Sequence, residues 1–153
     1  MKKVGVNLRH ARNKKQLAIM KCISRDKVCP FCHDFCGNNP LKYHTKPILK
    51  KTTWWTITEN FAPLDGTKIH ILLVYRGGHV TVPKEIPAKA WVDLGQCITW
   101  VVKKFKLPAG GFFFRFGNTD YTGASVKHFH CQIVFGGKKD GVRLRVKLGY
   151  KNK

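Results

Sequence analysis

The run Gly123-Ala124-Ser125-Val126-Lys127-His128-Phe129-His130-Cys131-Gln132-Ile133-Val134 puts His128, His130 and Gln132 at every second position, with Phe129, Cys131 and Ile133 between them. In a strand, alternate side chains share a face. The three polar residues then line one face, and the three apolar or small ones look into a core. Two imidazoles and an amide in a row cost burial energy, so such a row needs a use. A neutral imidazole attacks phosphorus well, and the phosphoramidate it forms is labile enough to be passed on. That imidazole must be held in one tautomer by a bond to its other nitrogen. His130 sits at the centre of the row, where its neighbours flank a reacting phosphate. Ser125 and the backbone N–H groups near Gly123 are the candidates for holding the phosphate oxygens.

A second chemistry lies upstream. Cys29-Pro30-Phe31-Cys32 supplies two soft ligands at the spacing of a zinc half-site. The other half must come from elsewhere, and Cys36, His33, His44, His70, His79 and His128 are the candidates. The knuckle continues to Gly37, and Asn38-Asn39-Pro40 closes it.

These residues need a scaffold. Thr53 to Thr58, Ile69 to Tyr75, Phe112 to Phe116 and Val126 to Phe135 read as strands. Val142 to Leu148 alternates apolar with cationic residues and predicts a further strand, joined to the one before it by the Gly-rich link 136–141. Residues 88–105 predict the main helix, with Trp91, Leu94, Ile98, Val101, Val102 and Phe105 at helical spacings between Pro87 and Pro108. Residues 16–23 suit a short helix, and 41–52 read as a basic loop. The sum is an α+β chain with an antiparallel sheet.

Bulk properties narrow the partners. The 153 residues suit one domain with its own core. Lys and Arg number 29 against 8 Asp and Glu, a formal net charge of +21. Self-repulsion on that scale destabilises a compact domain unless a polyanion or salt relieves it, so the expected partner is RNA or DNA or a nucleotide. Arg143, Arg145 and Lys147 share one face of the last predicted strand and extend that basic surface. Residues 1–28 form a basic N-terminal arm ahead of the domain at 29–153. No membrane-length apolar run is present, so no membrane partner is expected. The six cysteines read as thiols or metal ligands of a reducing, cytoplasmic compartment, although the acid-free start also suits organellar import.

The ordered set of motifs resembles the histidine-triad (HIT) superfamily. Gly-x-Ser-Val-x-His-x-His-x-Gln at 123–132 is similar to the family's His-x-His-x-His signature. Asn118, the strand from His70 followed by His79, and the Cys29–Cys32 pair fall in the family's order over residues 29–135. The resemblance implies a HIT-like sheet of about five strands, one main helix and an N-terminal zinc knuckle. It implies that His130 is the nucleophile, with Gln132 and Ser125 beside it as catalytic residues. Asn118, Gly123 and His70 become substrate-binding residues, and Cys29, Cys32, His79 and His128 become zinc ligands. The third triad position is Gln132, as in the galactose-1-phosphate uridylyltransferase and dinucleoside-polyphosphate phosphorylase branches. A Gln amide bonds a phosphate oxygen but cannot titrate, so leaving groups that are already stable anions suit it best. The implied activity is that of a nucleotide-binding hydrolase or nucleotidyltransferase working through a nucleotidyl-histidine, with nucleic-acid ends as one substrate and a homodimer as the family's frequent assembly. The alternative is a basic HIT-fold nucleic-acid-binding protein with little or no catalysis.

Overall fold

The protein is described by a computed structural model over residues 5–137, 143–146 and 148–149. Two longer helices and one sheet carry the architecture. Helix α1 (Lys14–Asp26) starts where the Asn13 side chain accepts the Gln16 N–H, and it stops at Lys27, whose φ of 56° is left-handed. Gln16, Met20 and Ile23 form its buried face, spaced four and three residues apart. The sheet is fully antiparallel, in the order β1-β2-β3-β5-β4. Its strands are β1 (Ile48–Lys51), β2 (Trp55–Glu59), β3 (Thr67–Tyr75), β4 (Gly111–Phe114) and β5 (His130–Gly136). Helix α2 (Ala88–Lys104) crosses one face, and the short α3 (Thr119–Thr122) leads into the loop before β5.

The two faces of the sheet do different jobs. On one, Ala90, Leu94, Cys97 and Val101 of α2 pack against Trp55, Ile57, Leu73, Phe129, Cys131 and Ile133. Each fully buried large side chain there contributes roughly 1.5–3 kcal/mol. The α2 stripe is set one residue away from the aromatic one expected from sequence. Trp91, Ile98 and Phe105 are only partly buried, and Val102 is 40% exposed. Small residues at 90 and 97 let the helix lie close, and the Trp55 indole N–H reaches the Ala90 carbonyl at 2.8 Å. On the opposite face, Leu72 and Val74 meet Phe31 and Phe35 of the cysteine knuckle. Beyond them, Val6, Met20, Ile23 and Tyr43 form a separate small cluster.

Three expectations about strands are corrected. His128 lies in a bend before β5, which begins at His130, so the polar row is broken after its first member. The described residues of the expected strand 142–148, which are 143–146 and 148, are not in a strand. Positions 142 and 147 lie outside the described residues, as does most of the expected 136–141 link. The fifth strand is instead β1, within the expected basic loop. It is specified by pairing rather than by its own composition. The Thr52 hydroxyl accepts the Trp54 and Trp55 N–H groups and closes a tight turn that folds Ile48–Lys51 onto β2. Its lysines suit an edge strand, where charge discourages further pairing.

The N-terminal segment is built into the fold from Gly5. Val6 pairs with Val126, the Asn7 N–H bonds the Ser125 carbonyl, and the Lys127 N–H bonds the Gly5 carbonyl, the last two at 2.8 Å. A Cβ at Gly5 would sit 2.8 Å from the Cys29 Cα, so this crossing takes only glycine.

Candidate functional site

His130 opens β5 opposite Val74, and Gln132 lies opposite Leu72, on the face turned away from α2. The His130 Nδ1–H donates to the His128 carbonyl at 2.7 Å. Its Nε2 then carries the lone pair. Burial first of all, with the positive charge of Arg115 adding to it, pulls the imidazole down to about 4, so the ring is neutral. The Phe31 ring stands edge-on to it at 5.2 Å.

Gln132 is oriented by its neighbour on β3. The His70 Nε2–H donates to Gln132 Oε1 at 2.7 Å, and His70 Nδ1 accepts the Leu64 N–H at 3.1 Å. Burial brings His70 to about 4 and keeps it neutral, in the tautomer those two bonds require. With its oxygen engaged, the Gln132 amide presents its NH2 as a donor.

His130, Gln132 and Ser125 line one cavity, closed on the other side by Gln16 of α1, Phe31 of the knuckle and Tyr43. Arg12 and Arg115 line it as well, and sequence reasoning missed both. Arg115 is half-buried just beyond β4, and burial lowers its guanidinium to about 10. Arg12 follows the N-terminal segment and bonds the Ala62 carbonyl. Nothing in their local sequence separates them from 27 other cationic residues; only the packing of 5–13 and the turn after β4 brings them here. Of the expected substrate-binding residues, His70 does not line this cavity but bonds Gln132, which does. Asn118 is exposed and caps α3, its side chain accepting the Asp120 N–H at 3.0 Å. Gly123 ends α3 at a φ of 70° and lines a neighbouring cavity rather than this one. The structure therefore gathers Ser125, His130 and Gln132 at one wall and leaves Asn118 outside it.

Two residues before His130, at His128, a second cluster forms: Cys29, Cys32, His79 and His128 bring their ligand atoms within 4.8 Å of one another. His128 Nδ1 lies 3.5 Å from Cys29 Sγ and 3.4 Å from Cys32 Sγ, and His79 Nδ1 lies 3.3 Å from Cys32 Sγ. A tetrahedral zinc site with bonds of about 2.0–2.3 Å has edges of roughly 3.3–3.8 Å, so these separations and this donor set fit. The His128 Nε2–H donates to the Tyr75 carbonyl at 2.6 Å, which fixes the tautomer with Nδ1 facing the sulfurs. The four residues could hold a metal ion, and the donors are compatible with zinc. The Cys36 thiol sits at the rim, 3.8 Å from the same Tyr75 carbonyl. The other sequence candidates are used elsewhere. His33 bonds the Asp34 carboxylate at 2.7 Å, and the His44 Nε2–H donates to Thr58 at 2.7 Å.

No family model matches the chain, and no curated protein matches it. Solved structures do. A histidine triad nucleotide-binding protein from Candida albicans superposes with a TM-score of 0.60 at 17% identity, over 82% of this chain and 85% of that one. A HIT family hydrolase from Clostridium thermocellum gives 0.56 at 19% identity, over 75% of this chain and 95% of that one. The Plasmodium falciparum diadenosine triphosphate hydrolase, solved in complex with cyclomarin A, gives 0.50 at 16% identity, over 85% and 86%. At these identities what is shared is the backbone arrangement, and the five-stranded sheet with His130 and Gln132 on its concealed face is the fold of the histidine-triad proteins.

Proposed function

We propose that this protein is a nucleotide-binding hydrolase or nucleotidyltransferase in which His130 forms a nucleotidyl-histidine. One observation carries the reading: the Nδ1–H bond to the His128 carbonyl leaves Nε2 of a buried imidazole as the nucleophilic atom beside a cavity. Neighbours named as a nucleotide-binding protein and as a diadenosine triphosphate hydrolase support it. His130 Nε2 attacks the α-phosphorus, the P–N bond forms, and the bond to the leaving oxygen breaks with its electron pair going to that oxygen. Water or another acceptor then attacks phosphorus, loses its proton to solvent, and the P–N electron pair returns to Nε2. The Gln132 NH2, the Ser125 hydroxyl and the Arg115 guanidinium are the donors for the phosphate oxygens. Gln132 cannot supply a proton, so the favoured leaving groups are stable anions such as phosphates.

A metal on Cys29, Cys32, His79 and His128, with zinc as the best fit, would tie the knuckle to the residue whose carbonyl orients His130. Its contribution is structural. Nucleic-acid ends are the substrate class that best suits a net charge of +21. The same charge favours a second reading, a HIT-fold nucleic-acid-binding protein with little catalysis.

The test is incubation with α-phosphate-labelled nucleotides and adenylated oligonucleotides, followed by a search for acid-labile label on protein. Label at His130, with turnover falling about 10³-fold or more in His130→Ala, is expected. Turnover at the wild-type rate in His130→Ala would promote the binding reading.

A further inference from the structure

A second cavity, of about 470 Å³, adjoins the first and shares Arg12 and Arg115 with it. Among the described residues its walls carry five arginines, Arg9, Arg12, Arg115, Arg143 and Arg145, and a single carboxylate, Asp65. The five come from three separate parts of the chain: the N-terminal segment, the turn after β4 and the C-terminal segment. Folding alone brings them together. Leu144 anchors the last of these, lying so close to Gly136 that an added Cβ there would meet its Cδ1 at 3.1 Å. With Leu144 half-buried, Arg143 and Arg145 on either side of it are exposed at the cavity.

A concave surface with that excess of guanidinium is built for several phosphates, not for one. Guanidinium forks match phosphate geometry in pairs of hydrogen bonds. The two shared arginines mark the junction, where a phosphate would lie between the His130 cavity and the arginine cavity. A duplex, about 20 Å across, does not enter such a recess, whereas one strand does. We infer that the arginine cavity holds the sugar–phosphate backbone of a single-stranded nucleic-acid end whose terminal phosphate reaches into the smaller His130 cavity, of about 50 Å³. This rests on the nucleotide reading above for the occupant of the first cavity, but the second cavity's role as a phosphodiester site is testable without it.

The experiment measures binding of short DNA and RNA oligonucleotides, and of a mononucleotide, by fluorescence anisotropy over a salt series. Wild type is compared with Arg143→Gln/Arg145→Gln, with Lys103→Gln/Lys104→Gln on α2 as an equal loss of charge elsewhere, and with His130→Ala. The arginine pair is expected to weaken oligonucleotide binding roughly tenfold or more at low salt. It should flatten the plot of log affinity against log salt by about 0.7 per guanidinium removed, while mononucleotide affinity is kept. The lysine pair should change little. Equal losses from the two pairs, no loss from the arginine pair, or an oligonucleotide bound no tighter than the mononucleotide overturns the cavity assignment. Photocrosslinking of the unmodified protein to a thionucleotide-bearing strand gives an independent measure. Crosslinks within 9–12 and 143–146 support the site, and crosslinks confined elsewhere overturn it. If His130 takes no label while the arginine-dependent binding persists, the catalytic reading fails and the cavity stands.

Discussion

At the scale of single residues, the state of His130 depends on one carbonyl and on burial, and the state of Gln132 on one neighbouring imidazole. The histidine at 70 spends its N–H on Gln132 Oε1, so the amide is fixed with its donors available. On the mechanism proposed above, the glutamine at 132 serves as an oriented donor and not as an acid. Replacing it tests the idea. In Gln132→His, a titratable group enters the cavity, and substrates with poor leaving groups, such as alkyl esters or phosphoramidates of a nucleotide, should gain turnover relative to polyphosphates by about 10-fold or more. An unchanged ratio of rates across leaving groups would sink the idea that proton donation is what position 132 lacks.

At the scale of elements, the cysteine knuckle joins the candidate metal-binding cluster to the segment that leads into β5 and His130. Asp34 is its hub. The buried carboxylate accepts the N–H groups of Lys42, Tyr43 and His44 at 3.1, 2.9 and 2.8 Å, pinning the loop that follows the knuckle. Asp34→Ala leaves three donors unpaired and should destabilise the fold by about 3 kcal/mol, read as a shift in urea midpoint at constant slope. A loss under 1 kcal/mol would mean that water replaces the carboxylate there. Cys29→Ser removes a thiolate donor. It is expected to abolish stoichiometric metal by elemental analysis and to lower the melting temperature, and a chelator should lower that of the wild type toward the same value. Protein purified without chelator that contains no metal would end the metal-site reading.

The whole molecule has an acid weakness written into its second face. His44 and His70 are both buried and both pulled down to about 4, by burial first of all. The unfolded chain binds a proton at each near pH 6.5, while the folded protein declines it until about pH 4. Stability from these two groups is therefore complete above pH 6.5 and drains away as the pH falls toward 4. The loss is on the order of 3 kcal/mol for each histidine. Urea titrations from pH 7.5 to 4.5 should show that decline, and His44→Gln should remove part of it. A flat profile would mean that both rings charge freely in the folded protein. Salt acts on the molecule in the opposite sense to its effect on ligand affinity: at +21 it relieves self-repulsion and should raise stability while it weakens polyanion binding.

Local pattern and spacing were enough for the α+β class, helix α2, three of the strands nearly in place, and the Cys29–Cys32 half-site, while His79 and His128 as its partners were implied by the family resemblance and do come together with it. Alternation put His130 and Gln132 on one face correctly, because residues two apart in a strand cannot do otherwise. It misplaced His128, whose position is set by long-range bonds: its ring reaches the Tyr75 carbonyl and the cysteines, and the chain bends to allow it. Strand β1 was invisible because an edge strand is defined by its partner, and the alternation across 142–148 was misleading for its described residues, 143–146 and 148, because alternation alone supplies no partner. Arg143 and Arg145 were legible as a basic face, but their meeting with Arg12 and Arg115 was not. Arg12, Arg115, Arg143 and Arg145 lie in three segments with no shared pattern, and a charge acquires a role only when folding sets it beside others. Chemistry carried by neighbours in sequence was legible from the chain, whereas electrostatics, which depends on distance in space, was decided by the tertiary structure.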